Sequence, residues 1–142
     1  MTSGERKIVV VGASRGIGAA VAQYFAEKGD FIFSVSRSQP DVTIDALLFM
    51  GGVWEAGAFT GQYNFLTSSA QETRFVISVN TIAPIELTKQ LTQNLAKSDN
   101  PRAIFIGALS GLDQSPTVEV ANTASKFGLR GAAQSLRLAL RD

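Results

Sequence analysis

Cysteine and histidine are both absent from the 142 residues. Without cysteine no disulfide framework can form, which fits a reducing compartment. The double absence also removes whole reaction classes: a Ser-His-Asp triad, a cysteine nucleophile with a histidine base, and an ordinary zinc site are all excluded. No metal site is expected, and acid–base chemistry is left to Lys, Tyr, Asp or Glu. An excess of one charge is missing too. Thirteen basic residues face 12 acidic ones for a net charge of +1, and Lys and Arg are spread along the chain. That balance selects neither nucleic acid nor an anionic membrane as partner. The opening stretch MTSGERKIVVVGAS holds one short apolar run that breaks at Gly12. It is too short for a membrane span and has no signal-peptide cleavage pattern, so a cytoplasmic protein is expected. There are no repeats and no low-complexity linker.

What is present is a chain that is 45% hydrophobic, enough for one sizeable core and one domain over residues 1–142. Apolar runs ended by glycine alternate with segments of helical period. Lys7 to Ser14 reads as a central parallel strand, apolar on both faces. A helix follows, with Ile17, Ala20, Val21, Tyr24 and Phe25 on its core face and Gly29 as its stop. DFIFSVSRS is a second strand and Ile44 to Gly52 a third. A polar loop from Val53 to Thr67 leads into one long helix, Ser68 to Ser98. Its stripe is Phe75, Val76, Val79, Ile82, Ala83, Leu87, Leu91 and Leu95. Pro84 should kink that helix unless a neighbour absorbs the lost hydrogen bond. RAIFIGAL is a fourth strand, and Thr117 to Asp142 the last helix. The alternation predicts an α/β fold, a doubly wound parallel sheet of Rossmann-like type.

GASRGIG, from Gly12 to Gly18, joins the first strand to the first helix. Glycine serves three purposes in such a turn. Gly12 permits the tight turn, Gly16 a close backbone approach to a pyrophosphate, and Gly18 close packing of helix on strand. The helix N-terminus offers free N–H groups and a positive dipole end. Gly12, Ser14, Arg15, Gly16, Ile17 and Gly18 are therefore candidate cofactor contacts, the alternative being a glycine-rich turn with no ligand. The second strand ends in SVSRS, with Ser36 where a carboxylate would hydrogen-bond the adenosine ribose and Arg37 beside it. Arg37 and Arg15 suit a 2′-phosphate, which predicts NADP(H) over NAD(H).

The spacing Gly12-x3-Gly16-x-Gly18 resembles the short-chain dehydrogenase/reductase (SDR) family. Further matches follow in order: SRS after the second strand, DALLFMGGV, VNTIAP and ASK, so that the resemblance runs from about Lys7 to Leu140. It implies an oxidoreductase that moves hydride between a nicotinamide and a small-molecule carbonyl or alcohol. It also implies a working set of Asn, Ser, Tyr and Lys. Asn80 matches the asparagine and Lys126 the lysine, which would lie against the nicotinamide ribose. The tyrosine position, four residues before Lys126, holds Asn122, and an amide cannot deliver a proton near neutral pH. The serine positions hold Gly107 and Ala108, and Ser110 could substitute only if the loop is shifted. Of the two tyrosines, Tyr24 reads as core and Tyr63 as a residue of the loop after the third strand. The family's Asn-Asn-Ala-Gly is here FMGG, in which Gly52 alone keeps the pattern; Phe49 and Met50 flank an adenine or pack the core. Asn80, Lys126 and Asn122 are the candidate catalytic positions, and Gly52 and Lys126 complete the cofactor set. A non-catalytic NADP(H)-binding sensor or partner subunit is the competing reading. The resemblance also implies a homo-oligomer through the helices from Phe75 to Leu95 and from Val118 to Leu140.

The chain is short for that family. Six residues, SQPDVT, separate Arg37 from IDALLF. Fully extended they span about 20 Å, whereas a crossover normally needs about 10–12 residues. Either the domain is naturally reduced, or segments are missing after Thr43 and after Asp142. An intact mass near 15.1 kDa would rule out the second.

Overall fold

The strands are built from β-branched and large apolar side chains. The computed structural model describes residues 5–33 and 42–141. β1 (Lys7–Val11) runs parallel to β2 (Phe31–Phe33) on one side and to β3 (Ala46–Phe49) on the other, and β4 (Arg102–Phe105) extends the sheet beyond β3. The order is β2-β1-β3-β4. Val9 sits opposite both Phe33 and Leu47, and Leu48 opposite Ile104. β1 ends three residues earlier than the run Lys7 to Ser14, because Gly12 takes a φ of 85° and turns the chain out of the sheet.

Side-chain alternation sorts two cores. Val9, Val11, Phe33 and Leu47 share one face with Leu87, Leu91 and Leu95 of α3 (Ala83–Leu95). Ile8, Val10, Ile32, Ala46, Leu48 and Met50 share the other with Val21, Ala22 and Phe25 of α1 (Gly16–Glu27). The sheet is thus covered on both faces, the doubly wound Rossmann-like arrangement, and each fully buried Val, Leu or Ile contributes about 1.5–3 kcal/mol.

The buried stripe of α1 differs from the expected one. Ile17 is 73% exposed and Tyr24 56%. Gly18, Val21, Ala22 and Phe25 make the inward face, at the i, i+3, i+4, i+7 spacing. Tyr24 is therefore not core. It flanks the stripe, edge-on to Phe25 with ring centroids 5.4 Å apart, with the Lys28 ammonium 5.6 Å above its ring.

The expected long helix is three segments: α2 (Ala70–Ile77), a π-helical stretch Ser78–Ile82, and α3. Ser69 caps α2, its Oγ accepting from the Glu72 N–H at 3.0 Å. The Ala83 N–H reaches back five residues to the Ser78 carbonyl. The wide turn lies directly before Pro84, where the missing N–H would break the ladder in any case. The expected stripe is also interrupted, since Phe75 and Ile82 are exposed.

Two compact units emerge, Met1–Gly51 with Glu86–Ile106, and Gly52–Ile85 with Gly107–Asp142. The first holds the sheet and α1. The second holds α2, the π segment, a 3-10 turn Leu109–Gly111 and α4 (Val120–Ala139). Within it, glycine brings α4 close to its neighbours. A Cβ on Gly128 would lie 3.2 Å from the Thr81 methyl, and one on Gly111 3.0 Å from the Lys126 carbonyl oxygen. No helix among the described residues is long and apolar enough to cross a membrane.

Candidate functional site

In the second unit a buried polar cluster gathers around the chain leaving Gly52. Asn80 is carried by the π segment. Its Oδ1 accepts from the Val53 N–H at 2.8 Å, and its Nδ2 donates to the Val53 carbonyl at 2.8 Å and to Ser125 Oγ at 3.0 Å. An amide that grips both polar groups of one residue imitates a strand partner, and it fixes the loop where no strand pairs with it. Ser125 Oγ in turn donates to the Asn122 backbone carbonyl at 2.7 Å. Thr81 Oγ1 donates to the Ser125 carbonyl at 2.8 Å, tying the π segment to α4 a second time.

Lys126 follows Ser125 and is 8% exposed. Its Nζ lies 3.4 Å from the point where a Cβ on Gly52 would stand, and Asn80 Oδ1 lies 3.6 Å from the same point. Glycine at 52 therefore makes room for the ammonium beside the asparagine. Burial holds the Lys126 amine below the ordinary lysine range, because a charge taken out of water is disfavoured. Gly52, Asn80 and Lys126 are thus brought together.

Asn122 faces inward. It is 0% exposed; its Nδ2 donates to the Val53 carbonyl at 3.1 Å, and its Oδ1 accepts from Ser110 Oγ at 3.2 Å. Both ends of the amide are used inside the protein. Ser110 reaches it because the 3-10 turn Leu109–Gly111 curls the chain after β4 back toward α4. The turn directs the Ser110 hydroxyl to Asn122. Ala108, one residue before the turn, has extended backbone.

Sequence reasoning missed Glu55. This residue is 4% exposed, and its Oε1 accepts from the Ala121 N–H at 2.6 Å and the Asn122 N–H at 3.1 Å. The available signal was faint: the lone charge between Gly52 and Arg74 apart from Glu72. Tyr63 is half-buried rather than free, its Oη accepting from the Val120 N–H at 3.3 Å. Val53 and Ser125, central to the network, lie inside the stretches DALLFMGGV and ASK but were not singled out there as site residues.

The glycine turn belongs to the first unit. A Cβ on Gly12 would stand 2.7 Å from the Gly51 nitrogen, and one on Gly18 2.2 Å from the Gly12 carbonyl oxygen. Backbone packing alone demands both glycines. Gly16 differs: its φ is 59°, and nothing lies within 4 Å of its Cβ position. Ser14, Arg15, Gly16 and Ile17 are exposed, Arg15 at the N-cap makes no side-chain cap, and the first turn of α1 has no acidic residue. A helix end whose first N–H groups have no partner within the helix, on an open glycine backbone, fits a pyrophosphate. Arg37 and Ser36 lie outside the described residues. Among the described residues no group of three or more Asp or Glu could hold a metal ion.

A family model described as short chain dehydrogenase matches residues 42–142. The chain belongs to the short-chain dehydrogenase family. The match covers the Gly52, Asn80, Asn122 and Lys126 positions and begins after the glycine turn. No curated protein matches the chain. Solved structures resemble its fold. A Burkholderia multivorans protein described as a short-chain dehydrogenase/reductase, with bound NADP, superposes with a TM-score of 0.75 at 15% identity, over 96% of this chain and 74% of its own. A short chain dehydrogenase of Shigella flexneri complexed with NADP gives 0.77 at 22%, over 92% and 70%. A carbonyl reductase of Pseudomonas aeruginosa gives 0.75 at 20%, over 93% and 73%. At these identities the likeness is one of fold.

Proposed function

We propose that this SDR protein is an NADP(H)-dependent oxidoreductase acting on a small-molecule carbonyl or alcohol, without a tyrosine acid. The observation that carries the reading is Lys126 Nζ beside Asn80 and a side-chain-free Gly52. When bound, the nicotinamide supplies or accepts the hydride. The N–H groups of the turn, with Gly12, Ser14, Arg15, Gly16, Ile17 and Gly18, take the pyrophosphate. Arg15 and Arg37 favour a 2′-phosphate, hence NADP(H) over NAD(H). Two relatives of like fold were solved with NADP, which supports the same preference. Lys126 holds ribose hydroxyls, Asn80 keeps the Val53 backbone in place, and water is the proton source. Asn122 gives no proton. Losing a positioned general acid costs about 10²–10⁴-fold, so turnover is slow.

The test is NADPH oxidation across a broad carbonyl panel, compared with Lys126→Ala. Equal turnover in both chains, or none in either, defeats the oxidoreductase reading. Asn122 specifically favours the second reading, a non-catalytic NADP(H)-binding sensor or partner subunit, since its amide is spent on Val53 and Ser110. Native turnover of about 1 s⁻¹ or more would refute that alternative. The same proposal includes a cytoplasmic location and a homo-oligomer through residues 75–95 and 118–140, where Phe75, Ile82, Phe127 and Leu138 are exposed. A monomer by light scattering removes the oligomer.

A further inference from the structure

α4 runs for 20 residues yet begins without a local cap. Glu119, at the N-cap, makes no side-chain capping hydrogen bond, and no acidic residue lies in the first turn. Its N–H groups are met from the loop after Gly52 instead. Tyr63 Oη takes Val120, and Glu55 Oε1 takes both Ala121 and Asn122; Thr123 bonds the Glu119 carbonyl at 3.0 Å. A carboxylate at the positive end of a long helix gains from its dipole as well as from two charge-assisted hydrogen bonds.

Glu55 is itself held on both sides. Ahead of it, Val53 is gripped by the Asn80 and Asn122 amides. Behind it, the Ala56 N–H donates to Glu72 Oε1 at 2.5 Å. Ser69 and Glu72 have the spacing of a reciprocal capping box, but the glutamate reaches across to this loop. The second oxygen of Glu55, Oε2, is buried and has no partner among the described residues. The two backbone donors on Oε1 commit the side chain to α4.

We infer that Glu55 is a positioning residue: it sets the register of α4 and thereby the place of the Lys126 ammonium against Gly52. The inference rests on the ribose-binding role proposed for Lys126. Lys126 occupies room that glycine leaves: a Cβ on Gly52 would stand 3.4 Å from its Nζ and one on Gly111 3.0 Å from its carbonyl oxygen, so a shift of α4 changes how the ammonium fits against both. Displacing a positioning group by about 1 Å can cost 10²-fold.

The experiment pulses the full chain with acetic anhydride, without cofactor, and reads acetylation of Lys126 by mass spectrometry, with exposed Lys28 as internal control. The temperature is one at which circular dichroism shows every variant folded. Glu55→Ala should raise the Lys126 rate about tenfold or more, and Glu55→Gln, which keeps an acceptor oxygen, less than about threefold, with Lys28 unchanged. A Lys126 rate in Glu55→Ala within about twofold of wild type overturns the inference. Where alanine does not fold, Glu55→Asp withdraws the charge by one methylene and is held to the same twofold limit. NADPH affinity should weaken about tenfold in Glu55→Ala and recover in Glu55→Gln; an unchanged affinity in the folded alanine variant also overturns it. NADPH shielding of wild-type Lys126 is a separate arm. Its failure sinks the cofactor reading and leaves the cofactor-free comparison to decide the role of Glu55.

Discussion

Replacing Asn122 by leucine, close to it in size, should destabilise the protein through two identifiable losses. The Val53 carbonyl loses one donor but keeps Asn80 Nδ2 at 2.8 Å, a loss of about 0.5–1.5 kcal/mol. Ser110 Oγ is buried, and its one hydrogen bond among the described residues goes to Asn122. Stranding that hydroxyl costs about 1–3 kcal/mol, so the total is about 1.5–4.5 kcal/mol. Ser110→Ala alone strands Asn122 Oδ1 at a similar cost of about 1–3 kcal/mol. The double variant strands neither atom of the pair, and should be more stable than the sum of the singles by about 1–2 kcal/mol. Urea unfolding followed by the fluorescence of Trp54, the single tryptophan, reads all four corners of the cycle. Were the Asn122 amide instead turned to a ligand, the leucine would cost under about 0.5 kcal/mol and the cycle would be additive. A coupling below about 0.5 kcal/mol refutes the inward-facing amide.

Installing the family's hydroxyls, Asn122→Tyr with Ala108→Ser, should lower the melting temperature and create no turnover. The phenol has no room at a fully buried site, where overpacking costs about 1–3 kcal/mol beyond the lost hydrogen bonds; turnover above wild type would contradict this. Gly16→Ala should cost only about 1–2 kcal/mol, from the left-handed backbone, while Gly18→Ala should cost about 3 kcal/mol or more and yield little folded protein. Equal melting temperatures would be wrong for that pair. Acid should destabilise the fold in a defined window. The Ser98 hydroxyl, with the Lys7 N–H, holds Asp45 below the usual carboxylate range, and the Arg6 guanidinium does the same for Asp30. Both folded values lie below the unfolded value of about 3.9, so their stabilisation is complete at neutral pH and is lost as pH falls through the folded values. Ser98→Ala should flatten the decline in unfolding free energy below about pH 4.

The centre of the sheet was readable because β1 and β3, apolar strands buried on both faces, leave a signal that survives tertiary context. The glycine turn was readable because positive φ leaves few choices of residue. Tyr24 was misplaced because it lies at the margin of its stripe, where one step of 100° decides between core and solvent. The wide turn at Ser78–Ile82 was hidden because it adds one residue to a helix without changing composition. Asn80 was found through a family motif, but its grip on Val53 depends on backbone that the motif does not encode. The bond from Ser110 to Asn122 could not be read from spacing, because the 3-10 turn Leu109–Gly111 decides where that hydroxyl goes. Glu55 could not be found, since a carboxylate that caps a helix 66 residues away leaves no local pattern.

The three glycines of the turn answer to different pressures. Gly12 and Gly18 are locked by the backbone around them and would persist in a lineage that had stopped using nucleotides altogether. Gly16 meets only the milder constraint of its left-handed backbone, φ 59°, so function would supply most of the selection that keeps it. Among descendants of such a turn, a side chain at position 16 would be the first letter to record that the ligand had been lost.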